Sequence, residues 1–139
     1  MVKVGDYNIP DELMYTEEHE YTRIEDEELV KIGITDYAQK SLRDIVYVEL
    51  PKKGTEVTQG SEFGSIESVK AVSEIYAPIS GVIEEVNSEL ENSPELINED
   101  PYGEGWLVVI RASNLEGDKP KLLGSKQYAK VVKDASEKK

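Results

Sequence analysis

The chain has 139 residues, enough for one domain around one core. It holds no cysteine and a single histidine, His19, which excludes disulfide staples, thiolate and multi-histidine metal sites, and a cysteine nucleophile. The net charge of −13 is unevenly spread, with 27 acids against 9 bases in residues 1–118 and 2 acids against 7 bases in 119–139. An acidic body of this kind disfavours nucleic acid and anionic membrane, attracts partners with basic patches and predicts a soluble monomer. No apolar run approaches the roughly 18 residues of a membrane span. Residues 1–10 have neither a signal-peptide core nor an arginine-rich transit character. A cytoplasmic protein is expected, or a mitochondrial matrix protein only if a transit peptide has been removed.

In chain order, residues 7–13 read as a short piece with a single turn at Pro10 and Asp11. Residues 21–25 alternate like a strand, and Asp26-Glu27-Glu28 reads as a turn. Residues 29–34 form a second strand with Val30, Ile32 and Ile34 on one face. Thr35 is placed to cap a helix over 36–42, where Asp36 complements the helix dipole. Strands follow over 45–50, which Pro51-Lys52-Lys53-Gly54 closes, and over 63–67 and 72–76. Pro78-Ile79-Ser80-Gly81 is a turn before a strand over 81–86. Residues 92–100 contain Pro94 and read as mostly irregular. Residues 106–110 read as a buried strand opened by Trp106, taken as a core residue. A C-terminal helix over 125–135 has Ser125 as its cap and Tyr128, Val131 and Val132 as its apolar face.

Many short strands punctuated by Gly and Pro predict a mainly β fold, a flattened barrel or sandwich with a short internal helix and a C-terminal helix. One domain is expected over 1–139: an N-terminal extension at 1–20, a β core at 21–118 with a hairpin at 66–75, and a C-terminal helix and tail at 119–139. Gly33, Gly64 and Gly81 are read as backbone necessities, since no nucleotide-binding glycine pattern is present.

The most informative residue is Lys70. It is the only positive charge between Gly54 and Ile110, a stretch holding twelve Asp or Glu residues. It lies in Glu67-Ser68-Val69-Lys70-Ala71, between two predicted strands. A hairpin held in a sheet projects a long, acylable amine from a fixed point, as a carrier of a covalent swinging arm requires. The alternative is an ordinary charged hairpin tip.

Several further stretches bear on that choice: Glu18-His19-Glu20, Gly33-Ile34-Thr35-Asp36-Tyr37-Ala38-Gln39, Asp44-Ile45-Val46-Tyr47-Val48-Glu49-Leu50-Pro51, Ala77-Pro78-Ile79-Ser80-Gly81, Asn98-Glu99-Asp100-Pro101-Tyr102 and Gly105-Trp106. In order and spacing, from about residue 7 to 130, the chain resembles the glycine cleavage system H protein family. The resemblance implies a lipoyl-domain-like barrel-sandwich hybrid and a lipoic acid group joined by an amide to Lys70. It implies four partners: a lipoylating enzyme, a PLP-dependent glycine decarboxylase, a tetrahydrofolate-dependent aminomethyltransferase and dihydrolipoyl dehydrogenase. The decarboxylase loads an aminomethyl group onto the arm, the transferase removes it, and the dehydrogenase reoxidises the arm, so the H protein itself is a carrier and not an enzyme. Glu18, His19, Glu20 and Glu74 match positions that resemble the lining of a cleft sheltering the loaded arm, with Glu20 and Glu74 expected to hold its amine. Glu67, Ser68, Val69 and Ala71 are the expected recognition positions around Lys70.

Three departures stand out. Tyr21 follows Glu20 where the family usually has Trp, Arg43 replaces a usual Gly and so carries strain if that position has positive φ, and Glu74 stands where Asp is common. His19 keeps a second reading as a structural residue, and Glu67 and Glu74 a second reading as solubilising charges on strand edges. Val69 and Ala71 beside the lysine argue against a biotin carrier, which has Met on both sides, and the extra terminal segments argue against a bare lipoyl domain. A relay protein that donates lipoate to other complexes stays open. A carboxylate hydrolase has no nucleophile or metal signature to support it.

Overall fold

The structure is a computed structural model describing residues 2–137. Eleven short strands and four α-helices follow the chain: β1 (Val2–Val4), β2 (Tyr7–Ile9), β3 (Met14–Tyr15), β4 (Glu20–Ile24), β5 (Leu29–Ile34), α1 (Asp36–Leu42), β6 (Ile45–Glu49), β7 (Glu56–Val57), β8 (Glu62–Ser68), β9 (Val72–Tyr76), β10 (Gly81–Val86), α2 (Leu96–Glu99), β11 (Val108–Ala112), α3 (Leu115–Asp118) and α4 (Ser125–Glu137). A six-stranded sheet runs β3-β4-β5-β11-β10-β7, and a three-stranded sheet runs β6-β8-β9. All pairings are antiparallel and neither sheet closes on itself.

The two sheets share one apolar core. Val30 and Ile32 from β5, Ile83 from β10 and Val108 and Ile110 from β11 meet Ile45, Ile66 and Ile75 from the small sheet. Each such side chain removed from water contributes about 2 kcal/mol before entropy is counted. This is why the predicted alternation in 29–34 holds: Val30, Ile32 and Ile34 all face the core. Gly33, on the opposite face, lies under the ring of its cross-strand partner Tyr21, and a Cβ there would sit 2.5 Å from that ring. Tyr21 is fully buried and donates to the Pro101 carbonyl at 2.8 Å, so an aromatic body with a polar tip is retained at this position. A Cβ at Gly64 or Gly81 would strike backbone oxygen of Glu49 or Arg111, so these glycines do serve close strand approach.

A second cluster joins the two chain ends. Ile9, Leu13, Tyr15, Tyr21 and Tyr37 pack with Tyr128 and Val132 of α4. Tyr15 and Leu123 exchange backbone hydrogen bonds at 2.8 and 2.7 Å, which docks the start of α4 on β3. The β1–β2 hairpin was not legible as strands, because three-residue strands carry too little alternation.

Other readings need correction. Residues 92–100 are mostly turn and coil, as expected, but a short helix not foreseen, α2 at Leu96–Glu99, lies within them and buries Ile97. The last strand runs Val108–Ala112, later than expected, and Trp106 is half-buried under Lys31, whose ammonium lies 5.1 Å from the ring centroid. Ser125 does not cap α4, since its hydroxyl bonds Asp11, and Gln127 takes the free amide of Gly124 instead.

Candidate functional site

The hairpin tip is built by local hydrogen bonds. Ser68 ends β8 buried, its amide donates to the Ala71 carbonyl at 2.8 Å, and its hydroxyl accepts from the Ala71 amide at 3.1 Å. Val69 and Lys70 form the two-residue tip between them, both exposed. The Val69 amide donates to the Asp44 carbonyl at 3.0 Å, tying the tip to the chain entering β6.

That chain is fixed from behind by Asn98 of α2. Its side-chain amide donates to the Arg43 carbonyl at 2.6 Å and to Gln39 Oε1 at 3.1 Å, while its oxygen accepts from the Ile45 amide at 3.0 Å. Arg43 has φ +66°, as strain at a usual glycine requires, and Asn98 together with its own N–H to Gln39 O holds it there. Lys70 is thus carried on a rigid relay from α2 through β6, while its ammonium has no ion-pair partner among the described residues. An amide could form on that nitrogen without breaking a contact, so the residue fits a covalently joined acyl group.

Glu20 sits at the opposite, base end of the hairpin. It is 1% exposed, one carboxylate oxygen accepts from the Thr16 hydroxyl, and the other accepts from the Tyr76 amide at 3.1 Å. Burial pushes its pKa up to about 7, against the lowering effect of these bonds. Thr16, Glu18, Glu20, Gln59, Tyr76 and Lys121 are among the residues lining a cavity of about 590 Å³ at this end. Of the two carboxylates, Glu18 is the exposed one.

The four expected cleft residues are therefore not together. Glu18 and Glu20 share the cavity. Glu74 points from the outer face of β9 into a different one, lined also by Glu49, Glu56 and Glu62. His19 lines neither. It has φ +72°, and its Nδ1 lies 2.8 Å from the Tyr128 hydroxyl, which is 2.7 Å from Thr35 Oγ1. Thr35 also accepts from the Ala38 amide as the α1 cap, either hydroxyl can be the donor in the Thr35–Tyr128 bond, and a buried imidazole favours its neutral form. Burial lowers the His19 pKa accordingly, and burial raises that of Tyr128. Thr16 and Lys121 were missed by sequence reasoning, because only folding brings residues this far apart to one wall.

Around Lys70, Glu67 and Val69 are exposed, Ser68 is buried in the turn, and Ala71 closes it.

Two sheets over one core, with an exposed lysine on a tight hairpin, give this chain the barrel-sandwich architecture of the lipoyl-domain class. The family model for the glycine cleavage H-protein matches residues 13–135. The chain is 51% identical to a probable glycine cleavage system H protein of Pyrococcus abyssi, over 96% of this chain and 98% of that one. It is 52% identical to the glycine cleavage system H protein of Rubrobacter xylanophilus, over 91% of this chain and 96% of that one. A crystal structure of the H protein from Mycobacterium marinum superposes with a TM-score of 0.79 at 37% identity, covering 88% of this chain and 97% of that one. The chain belongs to the glycine cleavage H-protein family. That membership supports a lipoyl-carrier role as a component of the glycine cleavage system.

Proposed function

We propose that Lys70 is the lipoyl attachment site, and that the protein shuttles between a PLP-dependent glycine decarboxylase, a tetrahydrofolate-dependent aminomethyltransferase and dihydrolipoyl dehydrogenase without catalysing their steps. The observation that carries this reading is the exposed, ion-pair-free Lys70 at a tip whose neighbours are hydrogen-bonded in place. When attached, the lipoyl group supplies a reducible dithiolane that carries a one-carbon amine between enzymes. The archaeal and bacterial relatives support a cytoplasmic setting.

The chain's own residues supply position and shelter. Asn98, Asp44 and Ser68 fix where the amine starts. From Val72 to Tyr76 the hairpin runs about 13 Å at roughly 3.3 Å per residue, so the Glu18/Glu20 cavity lies along the strand from the tip. Glu18, exposed at its wall, offers a carboxylate to a cationic amine. Glu20 has both oxygens engaged and supports the wall rather than gripping a guest. Glu74 acts from the other cavity, so its contribution is to partners and not to this pocket.

Glycine–bicarbonate exchange by the decarboxylase, with lipoylated wild type and with Lys70→Arg, tests the reading. Exchange is expected with the wild type alone. Lipoylated wild type that supports no exchange, yet passes lipoate to another carrier, would replace it with the relay function.

A further inference from the structure

The outer face of the β6-β8-β9 sheet is unusual. Six large apolar side chains are markedly exposed among the described residues, and four of them cluster at this sheet and its tip: Val46 at 49%, Tyr47 at 56%, Val69 at 76% and Val72 at 61%. The other two, Ile24 and Val82, stand apart on β4 and β10 of the larger sheet. Tyr47, Glu67 and Val72 are direct cross-strand partners, so they form one row on one face, immediately beside the turn that carries Lys70. The next row on that face is Glu49, Ser65 and Glu74. Neither row contains a base. The face therefore carries exposed apolar side chains interleaved with and bordered by carboxylates, with Lys70 at its tip end.

Scattered apolar groups need no explanation, but a contiguous set at the end of a sheet does. A surface meant only to keep an acidic protein in solution would carry polar groups in place of Tyr47 and Val72, which flank Glu67 in that row. We propose that this strip is the docking surface for the enzyme that acylates Lys70, and that the enzyme meets it with apolar groups against Tyr47 and Val72 and with Lys or Arg against Glu67, Glu49 and Glu74. This rests on Lys70 being the attachment site. The geometry selects that occupant among the partners. An enzyme acting on the far end of a long arm need not touch the sheet, whereas one that joins the acyl group must bring the unmodified Lys70 nitrogen into its own active site. There the nitrogen attacks an acyl-phosphate carboxyl carbon and loses a proton, the amide C–N bond forms, and the bond to the departing phosphate breaks. A partner seated on the Tyr47–Glu67–Val72 row holds that nitrogen one turn away.

The test measures acylation of the full chain by an ATP-dependent lipoate ligase with lipoate, read by intact mass, for wild type and for Tyr47→Ser, Val72→Ser, Ile24→Ser and Val82→Ser. All four positions are exposed, and thermal melts check that each variant is folded. Tyr47→Ser and Val72→Ser are expected to lower kcat/KM by about tenfold each, mainly through KM, with the wild-type KM rising with salt. Ile24→Ser and Val82→Ser are expected to match the wild type. Equal rates for all folded variants would overturn the proposal. So would a wild-type dimer in sedimentation that Tyr47→Ser dissolves, since the strip would then belong to a second copy. Wild type that gains no mass would overturn the attachment site beneath it, an outcome distinct from the other two.

Discussion

The two ends of the β8–β9 hairpin handle charge in opposite ways. At the tip, Lys70 stands exposed without an ion-pair partner, and the hydrogen bonding is spent on the backbone around it. At the base, Glu20 is buried with both oxygens bonded, and nearby His19, Tyr128 and Thr35 form a closed chain of hydrogen bonds. A group that must react with another protein is held by its neighbours. A group that must hold the fold is itself held. The comparison predicts that substitutions at the base move stability and those at the tip move modification.

The sharpest way to break the base is Tyr128→Ala, which empties a fully buried site and removes the hydroxyl that both His19 and Thr35 bond. A loss of about 3–5 kcal/mol is expected in denaturant unfolding. Tyr128→Phe keeps the ring stacked on Tyr15 at 4.5 Å and should lose about 1–3 kcal/mol. A Phe variant as damaged as the Ala variant would place the energy in the hydroxyl rather than in packing.

Glu20→Gln sharpens the comparison through pH. A carboxyl whose folded pKa is raised from 4.5 to about 7 favours the folded state most below pH 4.5, and that contribution is lost as pH rises through 7. The loss is about 3 kcal/mol at 1.36 kcal/mol per unit. His19 acts in the opposite sense: its lowered pKa adds stability as pH rises toward 6.5. Gln carries no charge but has one acceptor oxygen for the Thr16 and Tyr76 donors, so relative to the wild type Glu20→Gln should gain stability from pH 4.5 to pH 8. A constant difference between the two across that range would contradict the assignment of the charge to Glu20.

A smaller effect is expected at Arg43. Arg43→Gly should relieve the positive φ and stabilise by about 1 kcal/mol. Smallest of all, Val69→Ala at the tip should shift stability by less than about 0.5 kcal/mol.

The contrast also explains what was legible in the sequence. Lys70 could be singled out because isolation in an acidic stretch is a property of the linear chain, and a strand was predicted on each side of it. The cleft could not, because Thr16, Glu20, Tyr76 and Lys121 come together only through sheet pairing and the docking of the chain ends. Residue type alone grouped Glu74 with Glu20, but β9 turns Glu74 toward the outer cavity beside Glu62, whose pKa the neighbouring carboxyl raises. His19 carried both a cleft and a structural reading from the sequence, and its contacts with Tyr37 and Tyr128 fit the structural one. The strain at Arg43 was foreseen because a side chain at a glycine position is a local matter. Asn98, which holds it from 55 residues away, was not.

The most direct test of the central claim is the intact mass of wild type and Lys70→Arg after incubation with lipoate ligase, ATP and lipoate. One lipoyl group on the wild type and none on Lys70→Arg is the predicted result. A folded wild type that gains no mass, or a Lys70→Arg variant that gains one, would contradict Lys70 as the point from which this carrier works.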